Sequence, residues 1–214
     1  ISLSKFARRR KELISWAARN HTYILEDDYN GELRYVSRPM PSLQGMAPER
    51  VIYIGSFSRL LLPSVRIAYM ALPEDLAIIA REKIRLYDQT SSKVEQLALA
   101  EYIKERHLER HLRRSRKIYQ AKSREVLSAL ADVFGERVEC TLFETSMSVA
   151  AALHCDVNGF ELREAAKKHK ILTDPICPSE DGLPRVSLSF SGIPLEDIRP
   201  AVEELGIAWS VFLA

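Results

Sequence analysis

The first seventy residues combine one stretch of helical spacing with three short apolar runs. Apolar residues recur at helical spacing in residues 4–19, which predicts a first helix. The three apolar runs, typical of strands, are 23–25, 51–54 and 66–72. Residues 38–50 contain three prolines, a composition that predicts a loop. The first part of the chain is therefore predicted to be α/β, with buried strands.

Beyond residue 73 the pattern changes to longer amphipathic segments. Helical spacing predicts five helices: 74–86, 92–105, 108–134, 159–169 and 195–206. Strand-type patterns occupy three segments: 138–142, 147–154 and 185–191. This second part is predicted to be α+β, with helices packed on an antiparallel sheet. We place the boundary near residue 107, giving domains 1–107 and 108–214.

Composition and charge narrow the class of protein. The chain is 46% hydrophobic and 28% charged, as in ordinary globular proteins, and its net charge of +2 does not argue for nucleic-acid or membrane binding. No apolar run approaches the roughly 18 residues of a membrane helix. Three cysteines without a CxxC spacing predict reduced thiols in a cytoplasmic protein. Because the sequence starts with Ile1 and reaches a helix signal at once, we expect it to be a piece of a longer polypeptide.

Polar residues gather where two of the predicted strands end. Asp27-Asp28-Tyr29 follows the first strand, and Gly55-Ser56-Phe57-Ser58-Arg59 follows the second, with Arg66 seven positions further on. Ligands of α/β sheets bind at the carboxyl ends of the strands. Each group taken alone is also typical of a helix cap or a turn. The two groups in this order form a more specific signal.

This order of motifs resembles fold-type I pyridoxal-phosphate enzymes and, in particular, the MocR family of bacterial transcription regulators. MocR proteins join a GntR-type winged-helix DNA-binding domain to an aminotransferase-like domain. The resemblance implies an α/β fold, namely part of a fold-type I large domain over 1–107 and a small α+β domain over 108–214. The matching stretches are ILEDDYNGELRY, RPMPSLQGMAPERVIYIGSFSRLLLPSVRIAYMALP and LALAEYIKERHLERHLRRSRKIYQAKSREVL.

The resemblance assigns roles around the cofactor ring. Asp27 matches the aspartate that pairs with the pyridine nitrogen; a carboxylate there keeps the nitrogen protonated and makes the ring an electron sink. Tyr29 matches the tyrosine that hydrogen-bonds the ring's phenolic oxygen. Asp28 competes with Asp27 for the first role, because spacing alone does not separate two adjacent carboxylates.

The resemblance also assigns the groups that hold anions. Ser56 and Ser58 flank the position of the family's lysine, and Ser56 would hydrogen-bond the cofactor phosphate. Arg66 matches the phosphate-binding arginine, a bidentate partner for a dianion. Arg185 resembles the arginine that grips a substrate carboxylate.

Arg59 is a departure from the family pattern. The family has a lysine there, which forms the Schiff base with the cofactor and moves a proton during transamination. Both tasks require a neutral amine for part of the cycle, and a guanidinium with a pKa above about 12 does not supply one. Lys83 and Lys93 lie on predicted helices and do not replace it. The glycine-rich phosphate loop and the ring-stacking aromatic of the family also have no counterpart in this sequence.

These observations lead to one main hypothesis and two alternatives. The chain is interpreted as the effector-sensing region of a MocR-like regulator, aminotransferase-like in fold but without transaminase activity. It would hold pyridoxal 5′-phosphate without a covalent bond, sense an amino acid or other small carboxylate, form a homodimer and reach DNA only through a winged-helix domain outside this chain. The alternatives are a fragment of an aminotransferase that acts on amino acids, and a cofactor-free dimerisation module.

Two other features are interpreted as structural. His107 and His111 lie four residues apart without a third ligand at suitable spacing, so no metal site is predicted. The basic segment 104–124 could be a nucleic-acid surface. A solvated helix face balanced by Glu101, Glu105 and Glu109 is the favoured interpretation.

Overall fold

The computed structural model describes residues 3–28, 31–36, 41–87, 91–143, 146–176 and 182–213, with side chains from residue 7 onwards. The chain divides into two compact units, Ile1–Leu112 and Arg113–Ala214. Within the described ranges, every helix is too short or too polar to cross a bilayer.

The first unit contains a small sheet with helices before and after it. Its strands are β1 (Ile24–Asp27), β2 (Val51–Ser56) and β3 (Ala68–Ala71). Its helices are α1 (Leu3–Arg19), α2 (Leu43–Met46), α3 (Glu74–Ile84) and α4 (Lys93–Lys104), followed by the start of α5 (His107–Phe134). The predicted helices at 4–19, 74–86, 92–105 and 108–134 are confirmed to within two residues at each end.

The sheet of the first unit has the order β1-β2-β3. β1 and β2 run parallel, with Asp27 opposite Ile54, and β3 is antiparallel, with Ala68 opposite Ser56. The carboxyl ends of β1 and β2 therefore meet at one edge of the sheet, as ligand-binding α/β sheets require.

The two faces of this sheet differ in burial, so the prediction of buried strands is wrong for the first unit. On one face, Val51 is fully buried against Leu43 and Ala47 of the α2 segment. On the other face, Leu25 and Met70 are 64% and 60% exposed. The strands are apolar as predicted, but within the described residues helices pack on only one face of the sheet, so the apolar residues of the other face stay exposed.

The second unit has a sheet with a covered face. It contains β4 (Val138–Phe143), β5 (Ser148–Leu153), β6 (Asp174–Ile176) and β7 (Arg185–Ser189), in the antiparallel order β4-β5-β7-β6. The helices are the rest of α5, α6 (Gly159–Lys168) and α7 (Leu195–Trp209). Every residue of β5 is buried, and the ring of Trp209 packs 5.6 Å from that of Phe134. This confirms the predicted helices on an antiparallel sheet.

Two short elements escaped prediction. α2 lies inside the predicted proline-rich loop, where the Ser42 hydroxyl accepts a hydrogen bond from the Gly45 amide at 3.0 Å and caps the helix. β6 has three residues, one of them a proline, and it pairs with β7 at the edge of the sheet formed by the described strands. Both are too short for hydrophobic periodicity to detect.

Candidate functional site

The loop that leaves β2 and returns to β3 is closed at its neck by backbone hydrogen bonds. The Phe57 amide donates to the Ile67 carbonyl at 3.0 Å. The Ser58 amide donates to the Ser56 hydroxyl oxygen at 3.2 Å. Because Phe57 pairs with Ile67, their neighbours Ser56, Ser58 and Arg66 come together at this neck. The structure thus groups three of the residues assigned to cofactor binding, of which Ser56 and Arg66 were assigned to the phosphate.

Arg66 has an unusual backbone conformation. Its φ of 48° and ψ of 32° lie in the left-handed region, which a residue with a side chain adopts only at a cost of roughly 1–2 kcal/mol. This residue ends a short 3₁₀ turn and delays β3 until Ala68, although the apolar pattern begins at residue 66. Strained backbone of this kind often occurs where a side chain must be aimed at a ligand. The Arg66 side chain is exposed.

Three consecutive carboxylates at the end of β1 have three different environments. Glu26 is half-buried and accepts hydrogen bonds from the Leu43 and Gln44 amides at 2.9 and 3.0 Å, so it anchors α2. Asp27 is exposed, on the same face as Leu25. Asp28 accepts a weak hydrogen bond from the Tyr53 hydroxyl at 3.4 Å.

Strand alternation separates Asp27 from Asp28. Asp27 lies opposite Ile54 and therefore shares the open face of the sheet with Ser56, two residues further along β2. Asp28 continues the parallel ladder, its amide donating to the Ile54 carbonyl at 3.0 Å, and its side chain turns to the covered face with Tyr53. Asp27, not Asp28, therefore shares the open face with Ser56, while the cofactor role of either carboxylate stays a prediction.

An aromatic cluster on the covered face was not anticipated from the sequence. The Tyr69 ring lies 6.1 Å from that of Tyr53 and 5.3 Å from that of Phe57. Burial raises the pKa of the Tyr53 phenol, and the neighbouring Tyr69 and Asp28 raise it further. Gly55 makes room for this packing, because a Cβ there would lie 2.4 Å from the Tyr69 ring. The cluster fixes the ends of β2 and β3 from behind the open face.

Arg59 lies on the exposed turn after β2. The next residue, Leu60, is buried, and its carbonyl is 2.9 Å from His111 Nε2. A carbonyl only accepts, so His111 Nε2 is the protonated nitrogen that donates. This contact ties the turn that carries Arg59 to the start of α5.

An apolar cavity of about 400 Å³ adjoins this turn within the first unit. It is lined by Leu61, Leu62, Val65, Glu95, Ala98, Leu99, Tyr102 and His111. His107 stacks on Tyr102 at 5.3 Å and lies 2.8 Å from an Arg110 nitrogen, while His111 binds Leu60. The two histidines thus have separate partners, and the described residues contain no group of three metal-binding side chains.

Two predicted residues stand apart from this geometry. Tyr29 lies outside the described residues. Arg185 belongs to the second unit, where it is half-buried and opens β7 opposite Ala152 and Ile176. Their assigned roles stay predictions.

Curated relatives match nearly the whole chain. It is 42% identical over 95% of its length to the uncharacterized HTH-type transcriptional regulator YdeL of Bacillus subtilis, and 36% identical over 96% to YhdI, another such regulator of the same organism. It is 38% identical over 96% of its length to the probable rhizopine catabolism regulatory protein MocR of Rhizobium meliloti. The chain covers 45%, 45% and 42% of these proteins, so it spans less than half of their length. No family model matches.

Solved structures of aminotransferases share the fold. LysN, an α-aminoadipate aminotransferase of Thermus thermophilus in complex with N-(5′-phosphopyridoxyl)-L-leucine, superposes with a TM-score of 0.76 at 28% identity, over 94% of this chain and 54% of LysN. A multiple-substrate aminotransferase of Thermococcus profundus gives a TM-score of 0.76 at 28% identity, over 95% of this chain and 52% of that enzyme.

These matches confirm the predicted fold class, a partial fold-type I large domain followed by a small α+β domain. The chain is an aminotransferase-like region of the type found in MocR-family HTH regulators.

Proposed function

We propose that this chain is the effector-sensing region of a bacterial transcription regulator and that it holds pyridoxal 5′-phosphate without a covalent bond. The supporting observation is the grouping of Ser56, Ser58 and Arg66 at one loop neck, with Asp27 beside Ser56 on the open face. Arg59 occupies the lysine position of the motif. The full regulator would act as a homodimer and reach DNA through a winged-helix domain outside this chain.

The residues present fit the two polar ends of such a cofactor. Arg66 offers a guanidinium to a phosphate dianion, and the Ser56 and Ser58 hydroxyls offer shorter-range donors at the same neck. Asp27 offers a carboxylate to a protonated ring nitrogen. When bound, the cofactor supplies an electron-withdrawing ring. The side chains of this chain orient that ring and balance its charges.

Arg59, at the lysine position of the motif, makes Schiff-base formation and transamination unsuited to this site. A guanidinium has no free amine for bonding to an aldehyde or for carrying a proton between carbons. Ligand binding is then reversible, which suits a sensor better than a transaminase. We infer that Arg59 supplies a further positive charge to the bound phosphate or to an effector carboxylate. The carboxylate-binding role that the resemblance gives to Arg185 stays a separate prediction.

The decisive experiment is calorimetric titration of the full-length protein with pyridoxal 5′-phosphate. Saturable binding is expected. Arg66→Ala should weaken it by tenfold or more, since one charge-assisted contact contributes about 1.5–3 kcal/mol. Asp27→Asn should also weaken it, whereas the matched variant Asp28→Asn should leave it unchanged. No saturable binding would favour the cofactor-free dimerisation module.

Covalent chemistry is tested separately by borohydride reduction followed by peptide mass spectrometry. The natural protein should carry no cofactor on any lysine, while Arg59→Lys should be labelled at position 59. If the natural protein were labelled at another lysine, the proposal for Arg59 would be wrong and the aminotransferase alternative would gain support.

A further inference from the structure

The part of α5 in the second unit carries a stripe of basic side chains. Arg113, Lys117 and Arg124 are separated by four and seven residues, which places them along one side of the helix, with Arg114 beside them. All four are exposed. The opposite side of the helix holds Val126, Ala129 and Leu130, which are 4% exposed or less. At 1.5 Å per residue the stripe is about 16 Å long.

The charges of this stripe are not neutralised within the described residues. Arg113, Arg114, Lys117 and Arg124 form no ion pair or hydrogen bond through their side chains there. Residues 113–124 contain no aspartate or glutamate. Glu101 pairs with Lys104 at 3.2 Å, and among the described residues neither Glu105 nor Glu109 forms an ion pair with the stripe, although Glu109 lies four residues before Arg113.

The acidic residues further along α5 are already engaged. Arg199 of α7 binds Glu125 and Asp132, each at 2.8 Å. Of the remaining basic residues in the segment, Lys122 donates to the Ser191 carbonyl at 2.9 Å. Glu125 and Asp132 of α5 are thus paired with Arg199 of α7, and the basic stripe is accessible to an external polyanion.

We propose that this stripe binds the phosphate backbone of duplex DNA, without regard to base sequence, while the regulator is on its DNA. Three of the four side chains are arginines, whose planar fork matches phosphate geometry. Gln120 and Ala121, which lie on the same side of the helix as Lys117 and Arg124, offer no large apolar group for insertion into lipid, and Ile118 is a single exposed apolar side chain next to them. The inference depends on the likeness to HTH-type regulators and not on the cofactor site, and it revises the expectation that DNA is reached only through a winged helix.

The test is the salt dependence of DNA binding by the full-length protein. A fluorescent duplex of mixed sequence is titrated at a series of KCl concentrations, and log Kobs is plotted against log[KCl]. Each lost phosphate contact should lower the magnitude of the slope by roughly 0.9. The triple variant Arg113→Gln/Arg114→Gln/Lys117→Gln should therefore lose about 2 to 3 units of slope.

Two further variants control for net charge and for folding. Lys167→Gln/Lys168→Gln/Lys170→Gln removes three exposed positive charges from the same unit and should leave the slope unchanged. Arg113→Lys/Arg114→Lys keeps the charge and should retain the slope. Equal losses in the two triple variants, or no loss in the stripe variant, would overturn the proposal.

The same proteins also separate DNA from other polyanions and from the cofactor site. If the stripe variant lost binding to phosphatidylglycerol vesicles while its DNA slope stayed intact, the stripe would be a lipid surface and the proposal would be wrong. Cofactor titration of the stripe variant should match that of the natural protein, so failure of either proposal is visible independently of the other.

Discussion

The two units bury their sheets to very different extents. In the second unit all six residues of β5 are buried, and Trp209, Phe134 and Phe190 are almost wholly enclosed. In the first unit no residue of β3 is buried, and Leu25 and Met70 are largely exposed on the open face. The candidate cofactor site lies on the less enclosed sheet. The well-packed core therefore lies in the second unit, whereas Asp27, Ser56 and Arg66 lie at the edge of a sheet with one open face.

The largest expected difference in unfolding free energy is between substitutions of the two tryptophans, Trp209 and Trp16. Trp209 is fully buried, and its indole nitrogen donates to the Leu162 carbonyl at 2.8 Å, whereas Trp16 is 50% exposed. Trp209→Ala should lower the free energy of unfolding by about 3–5 kcal/mol, because it opens a large cavity and orphans a buried carbonyl. Trp16→Ala should change it by no more than about 0.5 kcal/mol. Urea unfolding followed by circular dichroism measures both, and equal costs would remove the contrast between the units.

The next largest change in the free energy of unfolding is expected at the close contact between Gly55 and the Tyr69 ring in the first unit. Gly55→Ala places a Cβ 2.4 Å from the Tyr69 ring, and this overpacking should cost about 1–3 kcal/mol. The double variant Gly55→Ala/Tyr69→Ala should be less destabilised than the sum of the single variants, because the clash is gone. Additive costs in urea unfolding would show that the ring does not pack over Gly55.

Glu26 and Asp27 are neighbours in β1, and variants of the two should differ in their effect on the free energy of unfolding. Glu26→Ala removes the acceptor of two amides at the start of α2 and a 3.8 Å ion pair with Arg10, so it should cost about 1–2 kcal/mol. Asp27→Asn, one residue on and exposed, should leave the free energy of unfolding within about 0.5 kcal/mol. Thermal unfolding of both proteins checks this division. A large loss of stability in Asp27→Asn would assign that residue to folding.

Long periodic segments were predictable, whereas features set by tertiary contacts were not. The helices α3, α4 and α5 follow directly from apolar spacing over eleven or more residues. α2 depends on Glu26, which is seventeen residues away from Leu43, so local pattern does not reveal it. The burial of β1 and β3 was mispredicted because an apolar strand has the same sequence whether or not a second layer covers it.

The candidate site shows the same division. The order of the motifs at the two strand ends could be recognised in the sequence, because it depends only on residue types and their spacing. Which of Asp27 and Asp28 lies on the open face of the sheet depends on strand alternation relative to β2, and that required the pairing of Asp27 with Ile54. The aromatic cluster behind the site arises from the cross-strand pairing of Gly55 with Tyr69, which no spacing rule specifies.

The smallest expected effect is a pH dependence in the first unit. The Tyr23 hydroxyl donates to the Asp75 carboxylate; this bond raises the pKa of Tyr23 and lowers the pKa of Asp75. A lowered carboxyl pKa gives stability that is present above the unfolded pKa of about 3.9 and is lost as pH falls through the folded value. A raised phenol pKa gives stability that is present below about 10 and is lost as pH rises through the folded value.

The difference in unfolding free energy between the natural protein and Tyr23→Phe should therefore be constant from about pH 5 to 9 and shrink on both sides of that window. Both groups are exposed to solvent, so the plateau should be small and should decrease further in high salt. The matched variant Tyr102→Phe, whose ring stacks on His107, lacks such a carboxylate partner among the described residues and should show no such plateau. A Tyr23→Phe difference that grew as pH fell below 4 would contradict the assignment, because protonated Asp75 no longer provides a charged acceptor for the phenol.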